Sequence, residues 1–354
     1  MKYQFISILI IIILIILRYF LLLPIYKQGD SVRITTRIYS DPIRYETAQY
    51  IKLENLKTYL PLFPEINYGD EVVVVGVVDG DKLKNPKLLS VNQNKNLTAK
   101  FRNNLISFYQ SVLPEPYAGL IGGILLGNKG GLTSNFWQMV KSTGVAHVVV
   151  ASGTNVTFIA NYIFAIAIFF IPRRKAIWFV MLSILLYLFI SGFEAPLVRA
   201  AIMVSTVYLA QLIGREINSW KVLLATVLVM LLVKPTWIGD IGFILSFVST
   251  ASLILFESRI RKKITFLPPF LKEGLSTSLA AQIGVTPILF VTFGQFNIWS
   301  PIVNMLVLWT IAPIMVIGAI GGLVGLVIPI FGKFIVWLSF PLLWWFVKMV
   351  EVFN

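Results

Sequence analysis

The sequence predicts a polytopic all-α membrane bundle of about nine transmembrane helices, with an extracytoplasmic N-terminal OB-like β-barrel domain after the first span. Three observations predict it. Hydrophobic residues make up 57% of the 354 positions and charged residues 13%, whereas a soluble globular domain carries about 25% charged residues. Apolar runs recur at the roughly 20-residue length that crosses a bilayer. Residues 24–97, by contrast, form a polar island of short alternating runs separated by turn signals.

The first element is Phe5–Leu23, nearly continuous Ile and Leu broken late by Arg18. A secretory signal peptide has a shorter apolar region, about 7–15 residues, that ends at small residues. This run passes instead through Arg18-Tyr19-Phe20 to Pro24. Residues 1–23 therefore read as a retained first span. In the island that follows, SVRITTRI (31–38), QYIKLENL (49–56) and EVVVVGVV (71–78) read as strands. Asp41-Pro42, Tyr68-Gly69-Asp70, Asp79-Gly80-Asp81 and Asn85-Pro86 read as turns. A strand-binding barrel needs a basic face with stacking aromatics, for which Tyr39, Tyr45, Tyr50 and Tyr59 are candidates. A spacer or docking role fits the same composition.

Residues 98–143 hold surface elements. Leu97, Phe101, Leu105, Phe108 and Val112 fall at helical spacing, with Lys100, Arg102, Asn103 and Asn104 elsewhere on the wheel. That pattern predicts an amphipathic helix over 97–113 lying at the membrane surface, ended by Pro114 and Pro116. Residues 117–143 fit a surface or re-entrant hairpin better than two spans. The polytopic region, 144–354, has spans expected near 145–171, 176–193, 197–213, 219–233, 237–256, 274–293, 298–325 and 334–350.

Charge orients these spans. Residues 24–116 carry 12 Lys and Arg against 10 Asp and Glu, and residues 117–354 carry 16 against 6. The second excess gathers in alternate loops: Arg173-Arg174-Lys175, Arg215 with Lys221, Arg259 to Lys263, and Lys333. The positive-inside rule puts those loops in the cytoplasm, the amino terminus inside, and the island outside. With topology absorbing most of the excess, the net charge of +14 is weak support for a polyanion partner.

No cysteine is present, and His147 is the only histidine. Disulfides, thiolate chemistry, cysteine zinc sites and His-rich zinc sites are excluded. No Walker motif, rhomboid-like Gly-x-Ser-x-Gly or serine triad spacing occurs. No enzyme, cofactor or metal centre is expected. What remains is polarity at membrane depth. Ser152-Gly153-Thr154-Asn155 interrupts the span that begins at 145. Gly and Ser loosen a helix there, and Thr154 or Asn155 can cap the one that resumes. A broken helix offers N–H groups and a positive dipole end to an anion. Small residues also let helices pack closely, and Asn bonds across them. Arg199 enters another span; it either pairs with Glu194 or Asp240, or faces a substrate. His147, near a span end, fits packing better than proton relay. Ser246, Gln282 and Asn304 are further polar span residues, each interhelical glue alone and together suggestive of a hydrated interior.

Several segments resemble the ComEC family of competence proteins, inner-membrane channels for DNA uptake. Leu125 to Leu132 resembles its LLGxxxGL segment. Thr143 to Gly153 resembles TGLAHLLAISGLH, and Pro196 to Met203 resembles PxxRAxxM. Asp240 to Phe247 resembles DPGFQLSF, and Ala281 through Asn304 resembles the AAQLGTLP, FGQFS and N series. The pieces keep family order over about residues 117–310, and the island at 24–97 resembles the family's OB-like domain. The resemblance implies a multi-pass protein of the bacterial inner membrane that carries single-stranded DNA into the cytoplasm. It makes Ser152, Gly153, Arg199 and Asp240 candidate path residues; Thr154, Asn155, Ser246, Gln282 and Asn304 join them for their polarity at membrane depth, with His147 and Glu194 as further candidates. Asn155 stands where the family usually has a second His, and Ile244 where it has Gln. Fuller members carry a metallo-β-lactamase-like domain; with the chain ending at Asn354, nuclease activity is expected to be absent. A separate nuclease, a cytoplasmic helicase or ATPase, and further copies of the chain are the partners this implies, besides lipid and DNA. A transporter or flippase for an anionic lipid or small solute, and an assembly scaffold, are the competing readings.

Overall fold

A computed structural model describes residues 2–22, 26–38, 42–45, 47–53, 56–92, 97–150, 152–294 and 297–354. In chain order, α1 (Lys2–Leu22) precedes six strands: β1 (Ser31–Arg37), β2 (Ile43–Arg44), β3 (Ala48–Leu53), β4 (Leu56–Pro61), β5 (Glu71–Asp79) and β6 (Lys82–Asn92). Short helices follow: α2 (Leu97–Val112), α3 (Tyr117–Leu126), α4 (Ser134–Ser142) and α5 (Ala146–Val149). The long ones are α6 (Gly153–Phe170), α7 (Arg173–Ser191), α8 (Ala195–Leu212), α9 (Ser219–Val233), α10 (Ile241–Lys263), α11 (Pro269–Phe293) and α12 (Ser300–Val327); α13 (Pro329–Trp337) and α14 (Phe340–Val352) end the chain.

Six of these, α6, α7, α8, α10, α11 and α12, are long and apolar enough to cross a membrane, and α13 with α14, bent by 45°, makes a seventh if counted as one span. The expected nine would also need α1 and α9. The 15 residues of α9 reach only about 22 Å at 1.5 Å per residue, short of a ~30 Å hydrocarbon core. Two expected boundaries move for local reasons. The span expected over 145–171 breaks into α5 and α6. The one expected from 237 begins at Ile241, because the Asp240 carboxylate accepts from the Phe243 N–H and fixes the helix start there.

The chain divides into two compact units that ignore chain order. One is Met1–Pro24, Ser152–Leu188 and Glu194–Trp309; the other is Ile25–Ala151, Phe189–Phe193 and Thr310–Asn354. In the second unit the strands form one mixed sheet in the order β1-β5-β6-β4-β3-β2. Every neighbouring pair is antiparallel except β4 with β6. Inward residues alternate as period-two patterning requires, and Ile34, Ile51, Leu60, Val72, Val74 and Leu83 join one buried cluster. Because that cluster draws from β1 and from β3 and β4 alike, the sheet bends round a single core. The ladder is open between β1 and β2 among the described residues, so the expected barrel is a curled sheet here.

The helices of the same unit show what the inner face of α2 packs against. In α2 the buried side chains are Ala99, Arg102, Leu105, Tyr109 and Val112, while Leu97 is 85% exposed. Arg102, placed on the polar side of the wheel, is 1% exposed. Its Nη1 donates to the carbonyl of Leu126, the last residue of α3, and to that of Ile190 near the end of α7, at 2.7 Å. The guanidinium also lies 4.7 Å from the centre of the Tyr68 ring. A helix leaves its last carbonyls without intrahelical donors, and one buried cation serves two such ends. A short glycine row on α12 receives the other side of α2. A Cβ on Gly322 would collide with the Tyr109 hydroxyl, and one on Gly325 with the Phe108 ring. Tyr109 donates to the Gly318 carbonyl at 3.0 Å, and burial pushes its phenol well above the ordinary range. In the segment read as a surface or re-entrant hairpin, 117–143, Ala118 to Leu126 of α3 are all buried.

The first unit packs α1, α8, α9 and α10 round Ile15, Ala195, Leu223, Met230, Leu231, Phe243 and Phe247. Arg18, the lone charge of the first span, donates to the Leu232 carbonyl in the last turn of α9. The α10–α11 pair closes tightly enough that a Cβ on Gly284 would strike Ser252.

Gly322→Leu should lift α2 from α12. The cysteine-free chain allows a clean readout through Val112→Cys, a buried α2 position. Maleimide labelling of that cysteine should accelerate about tenfold in the Gly322→Leu background, the effect of losing about 1.4 kcal/mol of local stability. Unchanged labelling would show that the glycine row does not hold α2.

Candidate functional site

The polar interruption that the sequence places at 152–155 becomes the start of α6. Ser152 takes the N-cap position with extended backbone, φ −112° and ψ 168°, yet its side chain makes no hydrogen bond to the helix's first N–H groups. Its Oγ instead contacts Thr154 Oγ1 and donates to Asn155 Oδ1 at 3.2 Å. The residues expected to recap the helix, Thr154 and Asn155, therefore lie inside its first turn. Without a side-chain cap, the positive end of an 18-residue helix keeps its full attraction for negative charge.

Against this helix start lies Arg199, one turn into α8. A Cβ on Gly153 would sit 2.8 Å from Arg199 Nη2 and 3.1 Å from the Ala200 Cβ. Gly153 lets the α6 start and the guanidinium occupy adjoining space, and a side chain there would push the flexible guanidinium aside. Arg199 Nε donates to Ser246 Oγ of α10 at 2.6 Å, and Nη1 approaches Met203 Sδ at 3.5 Å. Among the described residues the guanidinium's hydrogen bonds go to these two groups, not to the Glu194 or Asp240 carboxylate expected as ion-pair partners. Glu194 stands at the N-cap of α8, and Asp240 caps α10. Ser152, Arg199 and Ser246 are half-buried and Thr154 is exposed, while Asn155 is buried. The structure thus brings Ser152, Gly153, Thr154, Asn155, Arg199 and Ser246 into one polar cluster built from three helices.

The other candidates lie elsewhere. Asn304, 2% exposed, donates from Nδ2 to Ser278 Oγ at 3.1 Å and Ser300 Oγ at 3.2 Å, tying α12 to α11. Gln282 is half-buried on α11. His147 is on α5 in the other unit, where its ring donates to the Gly144 carbonyl. Met203, Ser276 with Glu257, and Tyr208 with Asn161 are polar pairings that sequence reading missed. The only signal for Met203 was its i+4 spacing from Arg199 on one helix face.

On the sheet, Tyr59 groups with Tyr50 and Tyr45, at ring-centre distances of 5.3 and 6.3 Å. Tyr45 and Tyr59 are exposed; Tyr39 lies outside the described residues. The cations nearby are matched by carboxylates. Lys57 bonds Asp81 at 2.6 Å, Arg44 meets Glu65 at 3.2 Å, and Lys84 meets Asp79 at 2.8 Å. The hydrogen bonds from Lys57 and Lys84 hold the Asp81 and Asp79 carboxyls below their ordinary range. These pairs therefore persist as acid is added until those lowered values are crossed.

A family model described as "Competence protein" matches residues 124–354. The chain belongs to the ComEC family of competence proteins. Among its competence relatives, ComE operon protein 3 of Bacillus subtilis (strain 168) is 32% identical over 223 residues, covering 62% of this chain and 28% of that protein. Competence protein ComA of Neisseria gonorrhoeae is 24% identical over 221 residues, covering 57% and 30%. Escherichia coli (strain K12) has the similar uncharacterized protein YcaI, 25% identical over 228 residues, 61% and 30%. The matched part thus spans less than a third of each relative. No solved structure matches. The family match covers the Arg199 cluster and leaves the sheet outside it.

Ser246→Ala in this competence protein removes the one oxygen that Arg199 bonds, and should lower stability in detergent by about 1 kcal/mol. Asn304→Ala, which removes the donor that ties α12 to Ser278 of α11, should cost a similar amount. Thermal unfolding in detergent checks both; an unchanged midpoint in either variant would show that its bond adds nothing to the fold.

Proposed function

We propose that this chain is a membrane channel component that carries single-stranded DNA into the cytoplasm during natural transformation. Family membership supports the reading, as do the relatives named for competence. The observation that carries it is the Arg199 cluster: a half-buried guanidinium that bonds no carboxylate among the described residues, set against the start of α6, which has no side-chain cap. A strand crossing a low-dielectric region brings one negative charge per nucleotide and needs fixed donors to replace water. One Arg and one helix end supply a weak site, which lets each phosphate leave as the next arrives.

In this reading nine spans cross the inner membrane, with the amino terminus and the basic loops in the cytoplasm. The sheet is an OB-like domain outside, where Tyr45, Tyr50 and Tyr59 stack bases. The chain performs no bond-breaking step. Degradation of the other strand and the pulling force come from a separate nuclease and a cytoplasmic helicase or ATPase. Gln282, Asn304 and Asp240 border the path by holding its helices, with Glu194 beside it.

Arg199→Ala and Gly153→Leu should each lower transformation frequency at least about tenfold at wild-type membrane abundance. Arg199→Lys should recover part of the loss by restoring the charge. Full transformation in both variants rejects the site. Normal transformation in the deleted strain, together with variant-sensitive scrambling of an anionic lipid in proteoliposomes, would favour the flippase reading instead.

A further inference from the structure

The first unit carries strongly unequal charge at its two ends. Its connections 213–218 and 264–268 are short and join packed pairs, α8 with α9 and α10 with α11, while 171–172 joins α7 to α6, which packs on α8. Side chains confirm the grouping. Arg173 donates to Gln211 Oε1 at 3.2 Å, joining the start of α7 to the end of α8. Ser276 donates to Glu257 at 3.2 Å, joining α11 to the last turns of α10. At this end the segments 172–175, 211–221 and 257–273 hold ten Lys and Arg against three Glu. The opposite end holds Arg18 and Lys234 against Glu194 and Asp240. The excess is not consumed internally: Arg174, Lys175, Arg259, Lys262 and Lys263 are all exposed.

Apolar rings accompany the cations. Trp178 lies just over a turn inward from Arg174 and is 60% exposed, and Trp220 opens α9 beside Lys221. Between Lys263 and Lys272 the chain reads ITFLPPFL, uncharged throughout, with Phe266 at 79% exposure. Cations outermost, with aromatic rings at the same level or just inward, match the layering of a bilayer surface: phosphate first, then the acyl boundary. A strand-binding face would present its rings among the cations, pointing away from the helices. Trp178, a turn inward of the cations, and the uncharged run 264–271 favour lipid.

We propose that this end of the unit binds the phosphate headgroups of anionic phospholipids. Residues 173–175 and 259–263 grip phosphates, and Phe266 seats the α10–α11 loop in the headgroup layer. Each exposed cation near such a surface strengthens binding about fivefold. The surface rests on the helices crossing a membrane and is independent of whether DNA is the cargo.

The test uses the full chain, purified in detergent and in nanodiscs of phosphatidylcholine with or without phosphatidylglycerol. Native mass spectrometry should find phosphatidylglycerol retained over phosphatidylcholine, and thermal unfolding should be raised in the mixed discs. The combined variant Arg261→Gln, Lys262→Gln, Lys263→Gln should lose retention by at least about tenfold. Phe266→Ala should weaken it at unchanged charge, and Lys234→Gln at the opposite end should leave it intact. If the triple variant fails to insert, the wild type still decides: about 1 M salt must abolish the preference through screening. Equal retention of the two lipids by the wild type overturns the proposal, as does a salt-insensitive preference. It is also overturned if the triple variant loses binding of a single-stranded oligonucleotide while keeping phosphatidylglycerol. Loss of transformation in Arg199→Ala with lipid retention intact would leave this surface standing apart from the DNA path.

Discussion

Backbone polar groups out of reach of water must find partners inside the protein, and most of the polar chemistry in this chain follows from that constraint. Arg102 meets it for two helices at once by placing a cation on the terminal carbonyls of α3 and α7. Asp240 meets it at the start of α10, and Asn218 at the start of α9. Arg18 does the same for the last turn of α9. Against that background the start of α6 stands out. Ser152 has the backbone of a cap but turns its hydroxyl to Thr154 and Asn155. The positive end it leaves faces space shared with Arg199, so like charges are held together where a negative group would relieve both.

Close approach is the second means of holding these helices. Hydrocarbon gives little drive to bury one apolar face against another, so contact area and small residues matter more than hydrophobicity. Gly318, Gly322 and Gly325 let α2 and α3 settle on α12, and Gly284 lets α11 settle on α10. Gly153 differs in what it admits: a charged head rather than an aromatic ring or a helix. The same residue type thus seals most of the structure and, at one position, makes room for polarity.

Electrostatics separates two kinds of cation. Arg102 and Arg199 enter the helical interior and are held by oxygen or sulfur acceptors, while Arg18 is exposed and reaches a helix-end carbonyl. The clusters at 173–175 and 259–263 stay exposed at one end of their unit. The first kind fixes geometry in low dielectric, where a misplaced charge is costly. The second acts at the water boundary, where charges add up and salt screens them. The net charge of the chain is mainly the second kind, which is why it says little about the site.

Much of the fold was legible before any coordinates. Apolar runs located most of the long helices, period-two alternation located the strands, and Ser152-Gly153 marked the break in the span from 145. Local patterns suffice for those features because a helix or strand is decided within a few turns by its own residues. Partners were not legible. Arg102 sits on the polar side of the α2 wheel, and nothing near it in sequence announces the Leu126 and Ile190 carbonyls that bury it. Arg199 had two nearby carboxylates to choose from by sequence, and the fold gave it Ser246, 47 residues away. Sequence alone determined where the chain is apolar, where it breaks and where its charge lies. Which charge is buried, and against what, was decided only when distant helices met, because the cost of burying a cation depends on acceptors that local periodicity does not encode.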